Sequence, residues 1–245
     1  MKRKILSTSL IIMSISCIAA ENHAHWSYQG HDNPDNWGKL SPEFLLCETG
    51  KAQSPVNIEG PLKKVSGKPE FSFIPGKQEL MNNGHTIQIN TESGNLLKLG
   101  SDVYTLQQFH FHAPAENTIN GKQFPLEAHF VYQDKDGALA VLGLMFEEGK
   151  SNPQLAHAWQ HMPSAAGETA VLNTPVNIKK LLPGKQDVYR FSGSLTTPPC
   201  SEDVQWLVLK KPVSASAEQI SQFRTVLGQD NNRPLQPLNG RIIHH

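Results

Sequence analysis

The chain has 245 residues, with 22 basic and 22 acidic side chains and a formal charge of zero. Apolar residues make up 38% and charged residues 18%, the balance of a globular chain with room for a full core and one or two domains. The neutral balance argues against a nucleic-acid partner, which calls for a basic excess.

Residues 1–20 read as a secretory leader. Lys2-Arg3-Lys4 is a basic start, Ile5 to Ala20 is apolar and dotted with serine, and Ile18-Ala19-Ala20 offers a small-residue cleavage point. A membrane anchor competes, but the apolar run is short for a span of about 20 residues. A lipidated Cys17 is a third option; Ser14-Ile15-Ser16 lacks the aliphatic residue expected at the start of such a signal. Cleavage removes three basic residues and leaves a mildly acidic domain over residues 21–245. Beyond the leader stand Cys47 and Cys200, an even pair in an exported chain, which reads as one disulfide. Closing so long a loop contributes about 4–5 kcal/mol in a chain-entropy account. Two free thiols in a reducing compartment is the alternative.

Residues 21–60 mix Trp26, Tyr28 and Trp37 with Gly30, Pro34, Gly38 and Pro42, so large side chains pin an irregular segment. His23, His25 and His31 read as surface groups. Residues 61–110 read as mostly β, with Ile87 to Asn90 alternating, Leu96 to Leu99 apolar, and turns at Asn83-Gly84 and Ser93-Gly94-Asn95. His85 falls where a loop meets a strand. An imidazole there can carry protons at neutral pH, or is simply an exposed group at a strand edge.

The chemistry concentrates in residues 107–132. His110-Phe111-His112 in a strand sends both imidazoles to one face. Glu127, His129 and Val131 share one face of a second run, with Ala128, Phe130 and Tyr132 on the other. Asn120-Gly121 between the runs is a strong turn signal. Two strands therefore present His110, His112 and His129 to one point, which suits zinc with a fourth position open. Cobalt or copper also binds three histidines. Glu127 is placed to take the spare ring N–H of His129 and fix its tautomer. Glu116, in the connecting loop, is free to orient a hydroxyl near the metal.

Ala138 to Glu147 reads as a strand buried on both faces. Residues 152–165 are a helix candidate capped by Ser151 or Asn152, with Pro153 in the first turn. His157 and His161 lie four apart on it, but no glutamate follows the first as H-E-x-x-H requires, so they read as surface or packing groups. Asn177 to Leu182 is a short helix stopped by Pro183-Gly184. Ser194 to Pro199 is a proline-stiffened loop with two threonines. Ala217 to Leu227 is a helix between Ser216 and Gly228. His244 and His245 are poor ligand candidates.

Residues 107–132 closely resemble the zinc core of the alpha-class carbonic anhydrases, above all their exported bacterial form. The resemblance recurs at SPVNI (54–58), NNGHTIQI (82–89), AVLGLMFE (140–147), FSGSLTTPPCSEDVQWLVLKKP (191–212) and NNRPLQPLNGR (231–241), in the family's order. It implies a mainly β (α+β) single domain, a large central mixed but mostly antiparallel twisted sheet with short peripheral helices. It implies a zinc enzyme that hydrates CO2 reversibly to bicarbonate and a proton, through attack by zinc-bound hydroxide. Thr196 would give its proton to Glu116 and orient that hydroxide, and His85 would shuttle the proton out. Val131, Val141, Leu195 and Trp206 would line the substrate wall, and Thr197 would contact bicarbonate. Tyr28, Asn83, Gln108, Glu127 and Asn231 would support the ligands and the polar network. The resemblance also supports the Cys47–Cys200 pairing. CO2 and bicarbonate would be the partners of a monomer or homodimer in the periplasm or outside the cell, with no stable membrane anchor. Three departures from animal members stand out: Ala113-Pro114 and Asn232 for aromatics, and Asn117 for a histidine. The first reads as a shortened loop. The second and third leave every ligand in place, and Asn117 reads as the loss of a buried hydrogen-bonding group.

Two rivals remain. One is a non-catalytic binding domain of the same family, which usually lacks a zinc histidine. The other is a zinc hydrolase of esters or peptides, for which the glutamate base of H-E-x-x-H is missing.

Overall fold

The computed structural model describes residues 24–65, 67–92 and 94–245, so the leader, Cys17 and His23 lie outside the described residues. The strands in chain order are β1 (Asn57–Ile58), β2 (Glu70–Ser72), β3 (Gln78–Asn82), β4 (Ile87–Thr91), β5 (Leu96–Leu99), β6 (Asp102–His112) and β7 (Thr118–Ile119). There follow β8 (Leu126–Gln133), β9 (Leu139–Glu148), β10 (Thr169–Val171), β11 (Val188–Gly193), β12 (Val204–Leu209) and β13 (Val213–Ala215). The helices are α1 (Trp37–Leu40), α2 (Leu46–Thr49), α3 (Pro153–Trp159), α4 (Ile178–Leu181) and α5 (Ala217–Leu227). Eleven strands form one mixed sheet along the path β10-β3-β4-β6-β8-β9-β12-β11, with β13 beside β9 and β5 joining β2 to β6. Only the pairings of β9 with β12 and β13 are parallel in this sheet. This is the mainly β architecture with small helices at its periphery that the sequence implies.

The centre of the sheet is apolar on both sides, for different purposes. On one face Phe109 and Phe111 of β6 and Phe130 of β8 join Leu142, Leu144 and Phe146 of β9 in the main core. α3 and α5 close this side, with Trp159 and Phe223 both packed on the Phe111 ring. On the other face Val141, Met145, Trp206 and Val208 form a second cluster with Val56 and Phe124. A third, around Tyr28, Trp37 and Phe44, lies against the Cys47–Cys200 disulfide and pins the irregular N-terminal segment.

A β-bulge sets the phase of β6. The pairing of β6 with β8 shifts between Leu106 and Gln108, so Gln107 is the extra residue. Without it, Leu106 would share a face with His110 and His112, because side chains alternate strictly. With it, Leu106 joins Phe109 and Phe111 in the main core, while Gln108, His110 and His112 keep the other face. The bulge is not evident from the strand pattern.

The expected turn is formed, with Asn120 at φ 50° and Gly121 at φ 73°, the pair of positive values a tight hairpin needs. It closes β7 onto Lys122, so the path from β6 to β8 detours through β7, which pairs in parallel with β1. The helix expected over residues 152–165 is shorter. The Asn152 side chain caps it, and it stops at Trp159. Pro163 disfavours helical backbone at the residue before it, which accounts for part of the lost length. α4 and α5 fall where expected, and Ser216 and Gln219 complete a capping box on α5.

Cys47 and Cys200 are bonded across 153 residues, with Cα atoms 5.0 Å apart. The double variant Cys47→Ala/Cys200→Ala is expected to lose about 2–5 kcal/mol of unfolding free energy in urea titration. An unchanged midpoint would show that the packing around Trp37 alone holds the segment.

Candidate metal centre

His110 stands directly opposite His129 in the β6–β8 register, and His112 opposite Glu127. Alternation therefore puts three imidazoles and one carboxylate on the same face, in two adjacent strands. The ring centroids of His110 lie 5.0 Å from His112 and 5.5 Å from His129. One nitrogen from each ring falls within 4.8 Å of the other two, close enough for a single ion to reach all three. They form the one such group of three or more histidine, cysteine or acidic ligands among the described residues.

Each ring has its remaining nitrogen assigned by a different acceptor. His110 Nδ1 lies 2.8 Å from Gln108 Oε1, and His112 Nδ1 lies 2.7 Å from the Asn231 carbonyl. Both rings thus turn Nε2 toward the shared point, and His112 Nε2 is buried there with no hydrogen-bond partner. His129 is turned the other way. Its Nε2 is 3.1 Å from Glu127 Oε1, short of an aligned hydrogen bond, so the close approach assigns the ring and Nδ1 is left for a metal. Three neutral imidazoles, with the buried Nε2 atoms of His112 and His129 both lacking a hydrogen-bond partner, are a donor set that fits zinc.

Burial holds these rings neutral. It depresses the pKa of His110 and His129 well below the ordinary value, and the neighbouring imidazoles add to the effect. His112 is lowered too, chiefly by burial, although its bond to Asn231 works against that.

Two buried glutamates stand behind the ligands. Glu127 accepts from the Glu116 and Asn117 backbone N–H groups at 2.7 and 2.9 Å and from Asn117 Nδ2 at 2.9 Å. Asn117 is therefore no missing group. Fully buried, it gives its amide N–H to Glu127 and accepts the Val56 N–H at its oxygen. The expectation that this position loses a hydrogen bond is corrected: the shorter side chain reaches the carboxylate beside His129. Gly143, in β9 opposite His129, leaves the room, since a Cβ there would meet Glu127 Oε1 at 3.0 Å.

Glu116 lies in the buried loop after β6, 3.6 Å from His112 Nδ1 and 3.8 Å from His129 Nδ1. Its Oε1 accepts the Arg233 N–H at 2.8 Å, and its Oε2 is buried without a hydrogen-bond partner, with the Thr196 side chain close by. Burial pushes its carboxyl up to about 8, against the pull of the Arg233 N–H and the nearby Thr196 side chain. Tyr28 lies near it, its hydroxyl raised well above the usual phenol range by burial and then by the Glu116 charge.

Trp206 packs edge-on to the His129 ring with centroids 4.9 Å apart, and its Nε1 donates to the Ser194 carbonyl. Val141 is buried beside it, while Val131, Leu195 and Thr197 are partly exposed. Half-buried His85 occupies the turn between β3 and β4, its ring stacked on Trp26 at 3.8 Å. Burial and the nearby His25 lower its pKa, and its Nδ1 is buried without a partner. Asn83 is exposed and touches no ligand. Its oxygen accepts the His85 and Thr86 N–H groups and so shapes that turn. Asn231 ties the two regions together, its side chain donating to the His85 and Phe111 carbonyls. Sequence reasoning missed Arg233 and Gln53. Both lie inside or beside matched blocks, but an arginine among prolines carries no sign that it is buried.

The model of the eukaryotic-type carbonic anhydrases matches residues 32–245. The chain belongs to the alpha-class carbonic anhydrase family. A carbonic anhydrase of Pectobacterium carotovorum is 57% identical over 240 residues, covering 98% of each chain. One from Neisseria gonorrhoeae is 48% identical, covering 96% of this chain and 93% of its own. The solved alpha-carbonic anhydrase of Thermovibrio ammonificans, in complex with the inhibitor sulfanilamide, superposes with a TM-score of 0.89 at 46% identity, over 91% of this chain and all of that one. Carbonic anhydrases of this family are zinc enzymes that hydrate carbon dioxide, and His110, His112 and His129 form a group of potential zinc ligands in this chain.

Two outcomes follow. At pH 6 an unperturbed imidazole is about three-quarters protonated. In the metal-free protein the rings of His110 and His129 are expected to be neutral at that pH by nitrogen-15 NMR, because burial depresses their pKa. Protonated rings would contradict the burial account. Asn117→Leu is expected to weaken zinc affinity about tenfold in chelator competition, by loosening Glu127. An unchanged affinity would return Asn117 to a purely packing role.

Proposed function

We propose that this chain is an exported carbonic anhydrase that hydrates CO2 at a zinc ion held by His110 Nε2, His112 Nε2 and His129 Nδ1. The observation that carries the reading is the convergence of these three nitrogens, each ring oriented by its own acceptor. Zinc held there supplies Lewis acidity that lowers the pKa of water to ~7, a value for which this enzyme class is itself the standard example.

The residues around the triad divide the remaining work. Glu116 takes the Thr196 hydrogen, so the Thr196 oxygen faces the pocket as an acceptor. It then selects a partner that can donate a hydrogen and turns that partner's lone pair toward the carbon. Val131, Val141, Leu195 and Trp206 offer CO2 an apolar wall, which suits a substrate without charge. Thr197 is placed to receive bicarbonate. Hydration consumes one water and releases one proton. His85 takes that proton: its lowered pKa keeps it neutral at neutral pH, and a half-buried ring can pass the proton to solvent. Trp26 and Asn231 hold the ring and its backbone in place.

Export rests on the leader pattern of residues 1–20 and on the disulfide, a bond that persists in oxidising compartments. Residues 21–245 then form the working domain. No helix among the described residues is long and apolar enough to cross a membrane.

Stopped-flow CO2 hydration, with zinc content measured on every sample, tests the reading. Zinc-loaded wild type is expected to be fast, and His112→Ala to lose both zinc and activity. His85→Ala is expected to keep its zinc and lose about tenfold in turnover in dilute buffer, recovered by added imidazole. A folded, zinc-loaded wild type without hydration would overturn the enzyme reading. An unimpaired His85→Ala would remove the shuttle.

A further inference from the structure

Arg233 is 2% exposed, and its guanidinium donates to neutral oxygens instead of a carboxylate. Nη1 bonds Gln53 Oε1 and the Ser54 carbonyl, both at 2.8 Å, and Nη2 bonds the Cys47 carbonyl at 2.9 Å. Every one of these acceptors leads to the loop that carries Thr196. Gln53 Nε2 donates to the Cys200 carbonyl at 3.0 Å. Ser54 and Ser194 exchange two hydrogen bonds, N–H to Oγ in each direction, at 2.9 and 3.2 Å. Cys47 is bonded to Cys200 itself. The backbone N–H of the same arginine donates to Glu116.

One residue thus holds Glu116 with its main chain and, through Gln53, Ser54 and Cys47, braces the Thr196 loop with its side chain. Burying a guanidinium is costly, and stability alone is often served as well by apolar side chains of similar volume. What the planar fork adds is geometry, because it satisfies acceptors on separate segments at once, which a lysine cannot do. We propose that the Arg233 side chain is a positioning residue of the reaction, holding the loop of Thr196 at the separation from Glu116 that their hydrogen bond needs. The proposal rests on the hydration reading above.

The test is a double-variant cycle on zinc-loaded protein. Arg233→Lys, Thr196→Ala and their combination are compared by kcat and KM for CO2, with zinc content and unfolding midpoint measured on each. Arg233→Lys is expected to lower kcat about tenfold, with KM unchanged within twofold and one zinc per chain. In the Thr196→Ala background the same change is expected to cost less than twofold, because the hydroxyl it positions is already gone. Equal losses in both backgrounds, or an unchanged kcat with a lowered midpoint, would make Arg233 a structural staple and overturn the proposal. Should Arg233→Lys fail to fold, Gln53→Ala, which cuts one of the guanidinium's two links to Cys200, goes through the same cycle with the same expectation. An inactive wild type with full zinc would sink the hydration reading instead, and that result precedes any variant.

Discussion

Everything at the centre depends on the register that sets His110 against His129 across β6 and β8. A strand has a side-chain period of two, so a slip of one residue would carry the imidazoles into the main core and bring Phe111 and Phe130 out. The register is fixed from the opposite face. Phe109 stacks on Phe130 at 5.0 Å, and Phe111 packs edge-on against both Trp159 and Phe223. The apolar packing that stabilises the sheet is thereby the same packing that aims the ligands. The Gln107 bulge lets Leu106 serve the core without disturbing the phase of the histidines.

A second constraint is electrostatic. Two buried imidazoles, a partly buried third and two buried carboxylates lie within a few ångströms of each other, an arrangement that is costly unless each group finds partners. The partners come largely from main chain. Glu127 takes two backbone N–H groups, Glu116 takes one from Arg233, and His112 gives its proton to the Asn231 carbonyl. Backbone partners cannot swing away, so the ligands are oriented before any ion arrives. The segments that supply them, 116–117 and 231–233, lie far apart in sequence, and Arg233 ties the second to the N-terminal segment, which the disulfide joins to Cys200.

Much of this was legible in the chain itself. The H-x-H step and the alternation of Glu127, His129 and Val131 point to a shared face because alternation is a local property. The helix after Ser216 and the Asn120-Gly121 turn were readable for the same reason. What local pattern cannot show is long-range pairing. Nothing in residues 102–112 announces a bulge, since Gln107 is recognised only against its partner strand. The burial of Arg233 follows from segments some 180 residues earlier in the chain. The role of Asn117 is hidden for the same reason, because the carboxylate it reaches lies ten residues further along the chain, on the next strand of the sheet. The helix after Asn152 is shorter than its sequence suggests, since its cap is a local signal and its end is not.

The central claim is that two rings bind through Nε2 and the third through Nδ1. A crystal structure of the zinc-loaded protein, with anomalous data collected at the zinc edge, tests it most directly. The account predicts a single strong peak about 2.0–2.1 Å from His110 Nε2, His112 Nε2 and His129 Nδ1. A peak bound through His129 Nε2, or one lying away from these three rings, would contradict it.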